Sequence, residues 1–339
     1  MAKTMRVLQI VGPERIEMIE MPVPEPQGRQ VLIRRLGIVT CNAYDLHIYL
    51  GKSYPNEGAT VDFPYPPGGP GHEWVGIIDK AGPETSLLKE GDWVCIPGGR
   101  GEKDPYPSGP AGYAPYSVLH ETCLVKVPPK PIPQLAPFEM ATCLAANMVD
   151  LVAMNAIRGK KTAVIGLGPA GIIGAQMLRA EGAAEVIGLD LDEKRREYAL
   201  SKGIVDRAIN PIGEDGKSLP LRKRGDPNPV IETSLDCAGA PAAINYLIKH
   251  TRDLVALFAV QHGPAQFDRA SISGLKICGY PGRDFQSAEY ALDMVANDRI
   301  DLSLTISHTM RLEHYPEALE LIRSQQSLKV LFTFDESDW

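Results

Sequence analysis

The 339-residue sequence has no paired-cysteine motif: its six cysteines, at positions 41, 95, 123, 143, 237 and 278, are scattered and form no CxxC. That spacing argues against a disulfide frame and for reduced thiols in a cytoplasmic protein. Long hydrophobic runs are missing as well. Stretches such as "LVALFAV" (254–260) fall far short of a membrane span. The N-terminal "MAKTMRVLQIVGPERIEMIEM" has no long apolar core after its lysine, so no signal peptide is read. Positive charge is in deficit: the net charge is −7, without the basic face that nucleic-acid binding needs. Mild acidity of this size mainly serves solubility. No internal repeat or low-complexity tract stands out. Against these absences, 44% hydrophobic and 23% charged residues are ordinary for a globular chain, and the length suffices for two domains.

Three textures follow one another. Residues 1 to about 135 are rich in Pro and Gly, with short alternating runs such as "QVLIRRLGIV" (30–39) and "WVGIID" (74–79). Short strands separated by turn residues predict a β-rich, barrel-like unit. From Pro137 the pattern changes to a helix, "PFEMATCLAANMVDLVAMNAI", and then to alternating buried strands and helices: "KTAVIG", "PAGIIGAQMLRAEGA", "EVIGLD", "VIETSLDCAG", "APAAINYLIKH", "LVALFAV", "LKICGY". Such alternation predicts a parallel, doubly wound sheet. From about residue 282 helices dominate, and the chain closes on a strand, "KVLFTF" (329–334). The loop 96–112 is polar, Gly/Pro-rich and expected to be exposed.

The strongest motif is "VIGLGPAG" (164–171), a strand ending in Gly166-x-Gly168-x-x-Gly171 and opening a helix with Pro169 and Ala170. The first glycine permits the tight turn, the second lets a pyrophosphate approach the backbone, and the third lets helix and strand pack closely. The helix N-terminus then offers free N–H groups to phosphates. Asp190, nineteen positions beyond Gly171, ends the strand "EVIGLD". Its carboxylate suits an adenosine ribose and repels a 2′-phosphate, which predicts NAD over NADP. The bland reading of Asp190 is a cap for the helix that starts near Glu193. Lys194, Arg195 and Arg196 could receive a 2′-phosphate, but three consecutive charges on a helix more often form a solvated face. "FAVQHG" (258–263) follows a sheet strand, so the backbone around Val260 is expected to meet the nicotinamide.

A second constellation poses a question. In "TCNAYDLH" (40–47) an Asp-x-His pair follows a Cys, and "GHEW" stands at 71–74. Cys, His and Glu ligate zinc, but Asn42 cannot hold it as a thiolate does. Which of Cys41 and Asn42 occupies the working position therefore decides whether a metal site opens here.

Together these stretches, with "LKEGDWVCIP", "AGYAPYSVL" and "LVKVPP", resemble the medium-chain dehydrogenase/reductase superfamily, the zinc alcohol dehydrogenases and their relatives, over nearly the whole chain. The resemblance implies an α/β protein with a GroES-like β-barrel catalytic domain (1–147 and 282–339) and an inserted Rossmann NAD-binding domain (148–281). It implies a homodimer or homotetramer and a small-molecule substrate, with no nucleic acid and no membrane. It also places one catalytic zinc on Cys41, His72, Glu73 and Cys143, although the family's Cys stands three residues before its Asp and Asn42 fills that position here. On the resemblance, a local bulge that turns Cys41 inward would let Cys41, His72 and Cys143, with water or Glu73, complete a tetrahedral site, with Asp45 orienting His72 and His47 relaying a proton to solvent. With Asn42 inward, no complete ligand set remains and the site works without metal. Cys143 alone is as readily a small buried helix residue as a ligand. Zinc-free quinone-oxidoreductase relatives carry Asn-x-x-Asp at this place. The structural zinc lobe of many relatives needs four close cysteines after "GDWV", and only Cys95 is present there. The implied reaction is hydride transfer between a secondary alcohol on a polyol- or sugar-like molecule and the nicotinamide, with Asp45, His47, Tyr44 and His72 as catalytic candidates. Tyr44, Asn147 and the loop 52–63 are possible substrate neighbours. The competing readings are a zinc-independent NAD(P)H-dependent quinone, enone or ketone reductase, in which Tyr44 or His47 polarises a carbonyl, and a non-enzymatic relative.

Overall fold

A computed structural model describes residues 3–54, 60–98, 101–213, 219–335 and 338. Two compact units emerge: residues 1–142 with 302–339, and residues 143–301. The boundaries differ from those expected of the sequence. The segment 282–301 packs within the second unit because the helix Phe285–Ala296 buries Ala288, Ala291, Met294 and Val295, while Tyr290 donates to Glu181 Oε1 at 3.0 Å.

In the first unit a seven-stranded sheet runs in the order Ile306–Met310, Lys329–Thr333, Gln30–Val39, Glu73–Ala81, Trp93–Cys95, Val125–Lys126, with Tyr116–His120 also paired to Gln30–Val39. A hairpin, Thr4–Gly12 with Arg15–Pro22, covers Leu32 and Val118 with Met5 and Val7. The central strand alternates: Val31 and Ile33 enter the main core, and Leu32 faces the hairpin. Against Glu73–Ala81 this strand carries one extra residue, Leu36, because Arg35 faces Gly76 and Gly37 faces Val75. Tyr113 packs edge to face on both Tyr315 and Phe332, its centroid 5.0 Å from that of Tyr315, and so ties the C-terminal segment to the first third of the chain.

The second unit holds a six-stranded, all-parallel sheet in the order Arg207–Ile209, Glu185–Leu189, Lys161–Ile165, Ile231–Asp236, Thr251–Leu257, Lys276–Cys278. Sequence order reverses between Lys161–Ile165 and Ile231–Asp236. In such sheets ligands sit beyond the carboxyl ends of the strands at that point. The helices Pro169–Ala180, Glu193–Ser201 and Pro241–His250 supply the crossovers. The window Ile132–Ala153 is apolar and long enough to cross a membrane, but 72% of it is buried inside the protein, as befits a core helix. Cys95 is also buried, its thiol directed at the Leu135 carbonyl at 3.6 Å. Of the loop 52–63, Lys52 and Thr60 form an antiparallel bridge. Residues 55–59, on which the expectation of substrate access falls, lie outside the described residues, as do 99 and 100 of the 96–112 loop.

One buried carboxylate anchors a loop of the first unit. Glu121 accepts the N–H groups of Ser86 at 3.0 Å, Leu87 at 2.6 Å and Leu88 at 3.3 Å, and Arg29 Nε at 2.8 Å. Burial alone would raise its pKa, but the donors outweigh it and hold the group below the ordinary carboxylate value. A depressed folded pKa stabilises above the unfolded value and is lost as pH falls through the folded one. Glu121→Gln is therefore expected to cost about 2 kcal/mol at neutral pH. In thermal melts the gap to wild type should close as pH drops below the ordinary carboxylate range, and a pH-independent gap would contradict the assignment.

Candidate active site

The strand Gln30–Val39 ends by zipping onto the closing strand. Thr40 N donates to Val330 O at 3.1 Å, and Val330 N donates to Thr40 Oγ1 at 3.1 Å. The helix Asn42–Tyr49 follows, with Cys41 at its N-cap in extended conformation. Asn42 is consumed structurally: its Nδ2 donates to the Leu328 carbonyl at 2.6 Å and its Oδ1 accepts from Thr40 Oγ1 at 3.0 Å. Cys41 is the residue that faces the imidazole of His72. One ligand atom from each of Cys41, His72 and Glu73 lies within 4.8 Å of the others, the group of this kind found among the described residues. Cys143 belongs to the second unit and is not a member of that group. It sits on the helix Phe138–Ala153 with its Sγ 3.2 Å from Arg283 Nη1.

The surroundings of the cluster are built from buried polar groups. Asp45, fully buried, accepts Cys41 N at 3.0 Å and the Tyr113 hydroxyl through Oδ2. Burial raises its pKa to about 6, against the pull of His72 and of the Tyr113 and Cys41 hydrogen bonds. His72 Nδ1 lies 3.3 Å from the Pro70 carbonyl. A carbonyl only accepts, so Nδ1 carries a proton and Nε2 is the nitrogen left to take a ligand. Burial would lower the His72 pKa, but the Cys41 sulfur beside it holds it well above the usual imidazole value. Glu73 Oε1 accepts from Lys329 Nζ at 2.7 Å, both side chains having no exposure, while Oε2 is buried without a partner. Burial raises the Cys41 thiol and the Glu73 carboxyl above their ordinary values. One half-buried sulfur, one imidazole nitrogen and one orphaned, buried carboxylate oxygen form a donor set suited to zinc, whose charge would stabilise the thiolate and carboxylate that burial disfavours. Lys329 escaped the sequence reading. Its one signal was a lysine opening an otherwise apolar strand, "KVLFTF".

Tyr44 packs edge-on to His72, centroids 5.4 Å apart, and its hydroxyl lies 3.3 Å from that of Tyr65. His47 directs Nδ1 to the Ala43 carbonyl at 2.7 Å, which leaves Nε2 as its basic nitrogen, and its ring lies 4.9 Å from that of Tyr54. Asn147, in the second unit, donates to the Gly279 carbonyl at 3.4 Å.

In the second unit the glycine turn follows the strand Lys161–Ile165. Gly166 has φ +89°, a region that favours glycine. Gly168 is the N-cap of the helix Pro169–Ala180, with Pro169 and Ala170 as its first residues and no side chain capping it. A Cβ on Gly171 would stand 1.8 Å from the Gly166 carbonyl oxygen, whereas one on Gly168 would meet nothing nearer than Arg195 Nη1 at 4.0 Å. Asp190 Oδ2 accepts Leu167 N at 2.6 Å and Oδ1 accepts Asp192 N at 2.9 Å, so this carboxylate braces the glycine turn. The cap of the next helix is Asp192, which accepts from Lys194 N and Arg195 N. Arg195 Nη1 stands 4.0 Å from Asp190, and Arg196 Nη1 donates to the Asp190 and Leu191 carbonyls. Val260 is half exposed, and its carbonyl oxygen lies 2.1 Å from where a Cβ on Gly239 would stand, so Gly239 is a second place of close backbone approach. The two fingerprint glycines should therefore separate in experiment. Gly171→Ala is expected to lower the melting temperature, while Gly168→Ala should melt like wild type yet bind a dinucleotide at least about tenfold more weakly. Titration calorimetry alongside thermal melts checks both.

The comparisons with known proteins agree with this geometry. The alcohol dehydrogenase GroES-like domain matches residues 27–129, and the zinc-binding dehydrogenase domain matches residues 169–297. L-threonine 3-dehydrogenase from Pyrococcus horikoshii is 28% identical, with 93% of this chain and 94% of that protein covered. The enzyme of the same name from Pectobacterium atrosepticum is 27% identical over 98% of this chain and 95% of its own. Among solved structures, 2R,3R-butanediol dehydrogenase from Bacillus subtilis superposes with a TM-score of 0.77 at 20% identity, covering 98% of this chain and 100% of that one. L-Idonate 5-dehydrogenase from Escherichia coli gives 0.77 at 20% identity, covering 98% and 99%. At that identity the superpositions speak for the fold alone. The two family matches, which together span more than half of the chain, show with the parallel sheet and glycine turn of one unit and the Cys-His-Glu cluster of the other that the chain belongs to the medium-chain dehydrogenase/reductase superfamily.

Proposed function

We propose that the protein is an NAD-dependent dehydrogenase of a secondary alcohol on a small polar molecule, with one zinc held by Cys41, His72 and Glu73. The observation that carries this is the grouping of those three ligand atoms, with Cys41 and not Asn42 turned towards His72. Relatives named for L-threonine, butanediol and idonate support a hydroxyl-bearing polar substrate. When bound, the metal supplies Lewis-acid polarisation of the substrate oxygen.

The chain's own residues set up the rest. Asp45 fixes the Cys41 backbone from below, and the Pro70 carbonyl sets the His72 tautomer, so sulfur and Nε2 are positioned before any ligand arrives. Lys329 keeps one carboxylate oxygen of Glu73 occupied and leaves the other available. His47, in the last turn of the helix Asn42–Tyr49 with Nδ1 on the Ala43 carbonyl and Nε2 left to accept, passes the alcohol proton to solvent in this reading. Asp190 next to the glycine turn favours an unphosphorylated ribose and hence NAD; its hydrogen bonds to Leu167 and Asp192 hold it there.

Two measurements test this. Protein purified without chelator should contain about one zinc per chain and lose NAD-linked alcohol oxidation when it is removed. Cys41→Ser should lose the zinc, whereas Asn42→Ala should retain it. Full activity in metal-free protein would instead favour the zinc-independent reductase. Separately, Asp190→Asn should shift the preference between NAD and NADP towards NADP by about tenfold or more, read as the ratio of kcat/KM values; an unchanged ratio would remove Asp190 from coenzyme selection.

A further inference from the structure

Among the described residues Arg35 is a cation without a counter-charge. It projects from the strand Gln30–Val39 just before the extra residue Leu36, and it is only 2% exposed. Its guanidinium carbon lies over the Trp74 ring, 3.6 Å from the centroid. Nη2 donates to Ser117 Oγ at 2.7 Å, but Nε and Nη1 are buried with no partner among the described residues. Its sequence neighbour Arg34, partly exposed, has Asp79 at 3.7 Å. Arg35 lines a cavity of about 490 Å³ whose other walls include Pro66, Pro67, Trp74, Ile96, Pro110 and Leu119. Among the described lining residues none is a carboxylate, and the titratable groups are Arg35 and His72.

Burying an unpaired charge and two orphan donors is expensive, and native proteins rarely keep such groups without a partner from outside the chain. Burial pulls the Arg35 pKa down to about 9, which still leaves it charged at neutral pH. We propose that this cavity is a binding site for a small organic monocarboxylate, whose carboxylate pairs with the Arg35 guanidinium and whose hydrocarbon part lies against the apolar walls. One planar cation matches one planar carboxylate in charge and in donor geometry. A phosphate dianion would be left half neutralised, and a neutral ligand would leave the charge uncompensated. The volume is that of a small-molecule site. This site goes beyond the dehydrogenase reading and does not depend on it, although His72 shares the cavity wall.

The stacking of Arg35 on Trp74 provides the readout. In a Trp93→Phe/Trp339→Phe background, leaving Trp74 as the sole indole, sodium butyrate is titrated at constant ionic strength against sodium chloride, with butyramide as the neutral isostere. Zinc-loaded and chelator-treated proteins are both measured. A saturable change in Trp74 fluorescence and a rise in melting temperature with butyrate, absent with butyramide and present in both proteins, is the expected result. Arg35→Met should weaken butyrate binding by about tenfold to a hundredfold, and its ligand-free form should melt at or above wild type, because an uncompensated charge has been removed. No saturable response, or an equal response to butyramide, would overturn the proposal. So would a response that disappears with the zinc yet survives in Arg35→Met, since the acid would then sit on the metal cluster. Should Arg35→Met fail to fold, the contrast between butyrate and butyramide in the parent protein still decides.

Discussion

The Lys329 ammonium, with no solvent exposure, donates to Glu73 Oε1 and to the Thr40 carbonyl, each at 2.7 Å. The strand that closes the chain is thereby joined to the two stretches that carry the cluster, one ending at Thr40 and one opening at Glu73. An ion pair this deep does little for stability compared with a well-packed apolar pair, but removing either member alone leaves a bare charge in the core. Its consequence is therefore positional. Thr40 exchanges hydrogen bonds with Val330, Asn42 reaches the Leu328 carbonyl, and the chain between them can turn only at Cys41. The thiol faces His72 because its neighbours on both sides are held by the closing strand.

The second unit rests on a constraint of a different kind. Gly171 must lack a side chain because the helix Pro169–Ala180 starts almost in contact with the Gly166 carbonyl, whereas the space beside Gly168 is open. The first is a demand of packing, and the second leaves the backbone open. Asp190 braces the same turn, since its oxygens hold Leu167 and Asp192. A bland capping role for it is excluded by Asp192 taking the cap.

These differences also explain what could be read from the sequence. The Gly166-x-Gly168-x-x-Gly171 turn, the strands "KTAVIG" and "EVIGLD" and the helix after Pro137 were legible because their pattern is local: spacing and backbone need are written within a few residues. The choice between Cys41 and Asn42 was not legible, since it depends on Leu328 and Val330, nearly three hundred positions away. Lys329 was hidden for the same reason, its partner being Glu73. The sequence expectation ends the inserted domain at 281 and the second compact unit runs to 301, because helical texture at 285–296 says nothing about which core it joins.

The extra residue at Leu36 marks where the alternation of the central strand changes. Inserting one residue into a strand reverses which face each later side chain meets, and it bends the strand at the same place. Before the bulge, Val31, Ile33 and Arg35 alternate onto one face, the first two in the core and the arginine over Trp74; after it, Ile38 joins the same core at an even-numbered position. The buried arginine thus occupies the last inward position before the irregularity. Lys329 and Arg35 are both buried in the first unit: Lys329 is matched by Glu73, and Arg35 by no acidic side chain among the described residues. Coulombic cost in a dry interior makes the first a fastening and leaves the second as an unmet demand for negative charge.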